Sequence, residues 1–536
     1  MNAFPLTLEE VVRSYNVMAL LPLIVLFGFA LAVLLAGAFF SESNKKWILP
    51  ILALVGAVIS ALTCLPLWGQ SLVFGVSGHA LFAADNFSLL FNSIFLMVLI
   101  ITLLMSHRFL SAREGDVTSA AGEFYGLLML SAVGMMIVAG SRDLLAVFLG
   151  IETLSIAVYV LAGFARRSLN SNEASLKYFL LGAFATGFLL YGIAMTYLAT
   201  GTTNLSQISL FVRSGFAGGA MGASTPIIYY AGLGLLLIGL GFKAALVPFH
   251  QWAPDVYEGA PTPVSAFMAT AVKAAAFAAI LRVFPEMIRV PAIAAHWQTL
   301  VLIICVLTMT IGNVIAIMQT SLKRMLAYSS VAHAGYALIG LVTIASAVGH
   351  SMTMSINAAF SGVIFYLIVY ALMTLGAFAV LVYFEQELKP GQNENVNLTL
   401  DDIRGIAVRH PWAAAALTLF LFSLAGIPPT AGFFAKLYIF LPAVKQGLIG
   451  LVIVAVLNSV ISVYYYFRPM VYLYSGKDEN VATDISVSAS GEAVASGRSI
   501  GVAVAIGICA VAVVLMFALQ GVLLPLLQTA LPQLML

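Results

Sequence analysis

Four ionisable side chains stand inside long apolar stretches of this sequence. They are Glu152 (in LLAVFLGIETLSIAVYVLAGF), Lys243 and Lys273 (both in GFKAALVPFHQWAPDVYEGAPTPVSAFMATAVKAAAF) and Lys436 (in LFSLAGIPPTAGFFAKLYIF). An ionisable group at the centre of a bilayer costs at least about 2.5 kcal/mol, so such residues mark ion or proton pathways by default. A lysine near a helix end can snorkel to the headgroups instead. Glu152 has too short a stem for that. It stands nine residues beyond Asp143, roughly 13 Å along a helix, which is close to mid-membrane. A carboxylate and a buried lysine that can approach and separate form a proton switch, because each favours the charged form of the other.

The elements that must position these groups follow from composition. Of 536 residues 62% are hydrophobic and only 9% charged, with mean hydropathy +1.05, whereas a soluble chain carries roughly a quarter charged residues. Apolar runs long enough to cross a bilayer recur along the chain. Fourteen spans are predicted, near 17–40, 47–66, 87–106, 122–140, 143–163, 176–200, 226–247, 261–283, 293–318, 322–345, 357–384, 411–440, 447–468 and 499–528. The runs are continuous and do not alternate with the two-residue period of a lipid-facing strand. The expected fold is an all-α polytopic membrane protein, a single membrane domain over 1–536, with strands not expected.

Basic residues orient it. With the N-terminus outside, fifteen lysines and arginines fall on the cytoplasmic side, among them Lys177 and Lys323, and six on the other, among them Arg142 and Arg282. This asymmetry follows the positive-inside rule and places both termini in the periplasm. The three basic residues left without a loop are Lys243, Lys273 and Lys436.

Other chemistries find no residues to carry them. Cys64, Cys305 and Cys509 are scattered in apolar surroundings, without the spacing for a cluster or a structural zinc. The seven histidines form no haem or metal pattern, and neither a GxGxxG after a strand nor a P-loop is present. The first sixteen residues include Glu9 and Glu10 and lack the layout of a cleaved signal, so the first span is expected to be retained.

Two spans are broken. Pro248 and Pro254 interrupt the seventh, and Pro428, Pro429 and Gly432 interrupt the twelfth, each break close to a lysine. Proline frees backbone carbonyls, and in lipid these must find partners in protein or water. Interrupted spans at matching places in two halves point to inverted repeats with an ion site at the midplane. The repeats are expected at 122–283 (spans four to eight) and 293–468 (spans nine to thirteen). Lys243 would sit near the end of a half-helix, where the dipole favours a cation while burial opposes it. Ser265, Thr270, Lys323, Tyr328, Ser329, Ser330, His250 and His333 could wire the sites. His250 at the break and His333 within span ten are relay candidates, while His79, His107, His296, His350 and His410 read as solvated.

These motifs, together with SLKRMLAYSSVAHAGY and FLGIETLS, closely resemble the antiporter-like membrane subunits of respiratory complex I, NADH:quinone oxidoreductase. The resemblance covers roughly 120–470 by motif and the rest by span pattern. The wording HQWAPDVYEGAPTPVS matches the N-type (subunit 2) form rather than that of subunits L and M or the Mrp cation/proton antiporters. It implies proton translocation through buried sites, driven by electron transfer in other subunits. It also implies that Glu152 is the helix-five glutamate, Lys243 the helix-seven lysine, Lys273 the helix-eight lysine and Lys436 the helix-twelve lysine near the outer exit. Lys177, His250, Lys323 and His333 match further polar positions of the family. The same resemblance implies no cofactor in this chain, with FMN, iron–sulfur clusters and quinone in partner subunits. It implies other membrane-arm subunits and lipid as partners, no nucleic acid, and a place in a bacterial inner membrane. No residue cluster identifies a quinone site. The segment 469–498, most of it within the stretch GKDENVATDISVSASGEAVASGRS (476–499), is longer than the family pattern and reads as a flexible cytoplasmic loop. Two other readings stand beside this one. An Mrp-type monovalent cation/proton antiporter would show sodium-dependent flux, and a purely structural subunit has no need of four costly buried charges.

Overall fold

The computed structural model describes residues 15–40, 42–76, 79–111, 120–218, 225–349, 353–388, 397–476 and 500–530. Thirteen helices within them are long and apolar enough to cross a membrane. In chain order the first helices are α1 (Leu21–Phe39), α2 (Glu42–Cys64), α3 (Asn86–Ser111), α4 (Ala121–Gly140), α5 (Leu144–Ala162) and α6 (Leu169–Thr200). After the short α7 (Leu205–Gly218) come α8 (Thr225–Ala244), the short α9 (Trp252–Gly259) and α10 (Thr262–Met287). Then follow α11 (Pro291–Ile317), α12 (Leu322–Gly349) and α13 (Thr353–Leu388). Two half-length helices, α14 (Pro411–Ala425) and α15 (Ala431–Lys445), precede α16 (Ile449–Tyr474), α17 (Ile500–Ala518) and α18 (Gln520–Ala530). Thirteen of the predicted fourteen spans each overlap one of these helices, and the other is split into α14 and α15.

Local chemistry sets the ends. The Asp143 carboxylate accepts from Leu145 N–H (2.8 Å) and starts α5, and the Thr430 hydroxyl accepts from Phe433 N–H at the start of α15. Proline opens α11 and α14, where its missing N–H costs nothing.

Burial runs opposite to what charge alone suggests. The most apolar window of α10 is 100% buried and those of α12 and α13 are 94%, against 33% for α6 and 28% for α1 and α17. The centre of the bundle is therefore built from the helices that carry Lys273, His333 and Glu385, while the purely apolar spans face outward.

Several expectations are corrected. Strands were not expected, yet Leu72–Val76 (β1) and His79–Ala84 (β2) form an antiparallel hairpin, with Leu72 opposite Ala84 and a bulge at Phe74/Gly75. The hairpin covers one end of the bundle, where Asn204 Nδ2 donates to Ala80 O (2.8 Å). Arg282 is not a loop residue but lies within α10, 2% exposed. There its guanidinium forms a fork with Asp85 (2.6 and 2.9 Å), and Arg142 joins the same carboxylate (2.8 Å). Burial alone would raise the Asp85 pKa, but the two guanidiniums hold it down at about 2. The helix α16 runs on to Tyr474, so the expected 469–498 loop begins later, and 477–499 lie outside the described residues. The last predicted span, 499–528, is two helices rather than one.

Candidate functional site

Both breaks are held by side chains that replace lost helix bonds. At the first, Ala245 has positive φ (56°) and Val247–Pro248 is cis. The Trp252 indole donates to Phe242 O (2.9 Å), and Val247 N–H donates to the Thr308 hydroxyl (3.1 Å). At the second, Gly426 has φ 78°, and Pro428–Pro429 is cis. Lys436 Nζ reaches back to Ala425 O, the last carbonyl of α14 (2.9 Å), and also donates to Ser459 Oγ (2.8 Å). A cation on the carbonyl end of a half-helix satisfies an orphan acceptor and the helix dipole together. A Cβ on Gly426 would stand 2.9 Å from Lys436 Nζ, so glycine both allows the left-handed turn and leaves room for the ammonium.

Lys243 is 3% exposed on the last turn of α8. Its Nζ donates to the Tyr159 hydroxyl (3.1 Å) and lies 4.8 Å from the Tyr159 ring and 5.1 Å from that of Tyr178. Glu152, on the same helix as Tyr159, is within electrostatic reach of both groups, and its Oε1 is buried without a hydrogen bond. Seven residues separate Glu152 from Tyr159, two turns of α5, so both point to one side.

Lys273 is 2% exposed and follows a π turn over Met268–Val272 in α10. Its ammonium donates to both the carbonyl and hydroxyl of Ser330 on α12. One turn further along, His333 Nδ1 meets Tyr366 OH (2.6 Å) and Nε2 meets Tyr466 OH (3.0 Å). Tyr466 in turn bonds Ser329. His333 lies within electrostatic reach of both Lys273 and Lys436. Lys436 also faces the Tyr336 ring (5.0 Å), and Asn313 links the hydroxyls of Tyr336 and Tyr465 (3.3 and 2.9 Å). A continuous polar zone therefore joins α10, α12, α13, α15 and α16. The Tyr178 ring beside Lys243 stacks on Trp252, which packs in turn on Tyr257, and the Tyr178 hydroxyl is buried and unpartnered.

The remaining candidates occupy the rim. Lys323 is 0% exposed, 3.4 Å from Glu385, with no aligned hydrogen bond from its Nζ. Glu385 also accepts from the Thr262 hydroxyl at the start of α10 (2.7 Å). Lys177 is partly exposed and pairs with Glu173 (2.6 Å) and Asp255 (2.9 Å). Arg324 bridges Asp255 and Glu258 at 2.8 Å each, and these groups line an open polar pocket of about 300 Å³. His250 lies in the first break, half-buried, and its Nδ1 has no hydrogen-bond partner among the described residues. His410, read as solvated, instead meets Tyr383 OH (3.0 Å).

Sequence reasoning missed Tyr159, Tyr366, Tyr466, Glu385 and the Asp85–Arg282–Arg142 cluster. Tyrosines in apolar runs give no signal, because their rings suit any membrane helix and only the neighbours reveal the use of the hydroxyl. Arg282 and Asp85 could have been found as opposite charges at adjoining span ends.

A family described as "NADH:quinone oxidoreductase/Mrp antiporter, TM" matches residues 141–462, which contain Glu152, Lys243, Lys273 and Lys436. A relative from Trichlorobacter lovleyi, "NADH-quinone oxidoreductase subunit N", is 42% identical over 91% of this chain and 95% of its own. The chain belongs to the subunit N family of NADH-quinone oxidoreductases. A chain of respiratory complex I from Thermus thermophilus has the same fold, with TM-score 0.72 and 33% identity over 94% of this chain and 98% of that one. A chain of the Mrp complex from Dietzia sp. superposes with TM-score 0.74 over 98% and 97% of the two chains, at 21% identity, and so shares the fold. Subunit N membership thus agrees with the reading of the helix-seven motif.

Proposed function

We propose that this chain is a proton-translocating membrane-arm subunit of a bacterial NADH:quinone oxidoreductase, in which Glu152, Lys243, Lys273 and Lys436 are the proton-binding groups. The observation that carries the reading is how the three lysines are held. Each is nearly fully buried and hydrogen-bonded to neutral oxygens of Tyr159, Ser330, or Ala425 and Ser459, not to a neutralising carboxylate. Single side-chain ammonium groups in a dry interior are costly to retain as scaffolding, where leucine packs better. Held by neutral partners, each can surrender or accept a proton without breaking a salt bridge. His333 and the hydroxyls of Tyr466, Ser329 and Ser330 connect Lys273 toward Lys436, while Lys323 and Glu385 adjoin the head of α10. Lys177, with its carboxylate partners, lines the open polar pocket on the side we assign to the cytoplasm.

In this reading spans four to eight and nine to thirteen form two inverted repeats, and both termini face the periplasm. NADH oxidation, with FMN, iron–sulfur clusters and quinone, belongs to partner subunits. Their redox energy reaches this chain through neighbouring membrane-arm subunits. The deciding experiment compares wild type with Lys243→Ala in native membranes, following NADH:quinone turnover and NADH-driven acidification of inverted vesicles. Loss of coupled turnover in an assembled complex, indifferent to sodium, is the expected result. Full turnover with full pumping would leave a structural subunit, and sodium-dependent flux would mean an Mrp-type antiporter.

A further inference from the structure

Among the described residues Lys243 has no ion pair with Glu152. Its ammonium occupies an aromatic box instead. Nζ donates to the Tyr159 hydroxyl at 3.1 Å and lies 4.8, 5.1 and 5.8 Å from the ring centroids of Tyr159, Tyr178 and Phe242. Those distances are within the range in which a ring face attracts a cation. Glu152 Oε1, meanwhile, is buried and accepts no hydrogen bond.

The box is built, not incidental. A Cβ on Gly182 of α6 would stand 2.0 Å from the Tyr159 hydroxyl, so the phenol reaches the lysine only because position 182 has no side chain. The hydroxyls of Ser155 and Thr186 flank the phenol. The Tyr178 ring stacks on Trp252 at 4.4 Å and 11° between planes, and the Trp252 indole holds the carbonyl of Phe242, the residue before Lys243. The ring that faces the ammonium is thereby tied to the break that ends α8.

We propose that Tyr159, with the rings of Tyr178 and Phe242, is the second seat of Lys243, which holds its ammonium when it is parted from Glu152. A lysine leaving a carboxylate in a dry interior needs another partner for its charge. The box supplies the Tyr159 oxygen as acceptor and the rings of Tyr178 and Phe242, none of which competes as a base for the proton. Tyr159 is thus a positioning residue, and through it α5 presents Lys243 with two alternatives on one helix, the carboxylate and the phenol. The inference rests on the proposed role of Lys243 as a proton-binding group.

The test uses the intact complex in native membranes, with assembly checked by isolating it. Tyr159→Phe keeps the ring and removes the acceptor, and Gly182→Ala keeps the tyrosine and displaces its hydroxyl. Both should lower coupled turnover roughly tenfold or more, the equivalent of one lost hydrogen bond from a charged group. Both should leave the KM for quinone unchanged and raise the solvent deuterium isotope effect. Tyr159→Leu should be slower than Tyr159→Phe. If Gly182→Ala fails to assemble, Tyr159→Phe alone decides. Wild-type turnover and isotope effect in Tyr159→Phe, alongside a defective Lys243→Ala, overturn the second seat and leave the proton-binding role standing. A harmless Lys243→Ala overturns both.

Discussion

Asp85→Asn removes the carboxylate that pairs with two guanidiniums. The Arg282 side chain is 1% exposed and that of Asp85 7%, so water cannot replace the lost charge. The remaining acceptor of Arg282 is Ala139 O, at 2.6 Å from Nη2 and 3.1 Å from Nε. Breaking one partner from a buried pair costs about 3–5 kcal/mol, because an uncompensated charge stays behind. The depressed pKa gives a lower figure. A carboxyl held at about 2 instead of its ordinary 3.8 contributes about 2 kcal/mol at neutral pH. The larger figure includes the stranded arginines, so a loss of about 3 kcal/mol is expected. A depressed carboxylate pKa contributes fully above its unfolded value, and the contribution is lost as pH falls from 3.8 toward about 2. The assay is thermal unfolding of the isolated complex in mild detergent, following release of this chain. Asp85→Asn should lower the midpoint clearly at neutral pH, and the gap should narrow as pH falls through that window. Equal midpoints at neutral pH would refute the reasoning, and so would a gap that widens in acid.

Further outcomes follow from the same geometry. Lys436→Met matches the side-chain length but takes the ammonium away from Ala425 O at the end of α14, leaving it the longer bond from Ser459 Oγ (3.4 Å). A charged hydrogen bond is worth about 1.5–3 kcal/mol, so coupled turnover should fall roughly tenfold or more in the vesicle acidification assay. Gly432→Ala would place a Cβ 1.8 Å from the Ser423 carbonyl oxygen, a backbone clash. It should destabilise the second break by at least about 1–3 kcal/mol, visible as less assembled complex on a native gel. His333→Phe leaves the hydroxyls of Tyr366 and Tyr466 without their shared partner. Tyr466 keeps Ser329, so a loss of about 1–3 kcal/mol for the stranded Tyr366 hydroxyl is expected as lower turnover and a lower unfolding midpoint, with partial recovery in His333→Gln.

Much of the membrane architecture was legible because the bilayer imposes simple constraints. A helix must be apolar for about twenty residues, so span positions are written in composition. Even the split twelfth span was foreshadowed by IPPTAG, since two prolines and a glycine cannot continue a helix in lipid. The β1–β2 hairpin was not legible, because HALFAA and LVFGV are short runs outside the span pattern whose pairing depends on the loops they cover. Glu152, Lys243, Lys273 and Lys436 were legible as ionisable groups within helices for the opposite reason, that a charge in an apolar run stands out against its background.

What the sequence determined by itself is the class of the fold, the places where helices must break and the identity of the costly charges. These follow from local hydrophobicity and backbone chemistry, which neighbours in space do not alter. Tertiary structure alone decided which oxygen each lysine finds: Tyr159 for Lys243, Ser330 for Lys273, and the end of α14 for Lys436. It also decided that Arg282 is a buried anchor rather than a loop charge. Partners 84 and 197 residues apart in the chain meet only when the bundle closes. A hydrogen bond depends on position to within a few tenths of an ångström, and no one-dimensional pattern carries that.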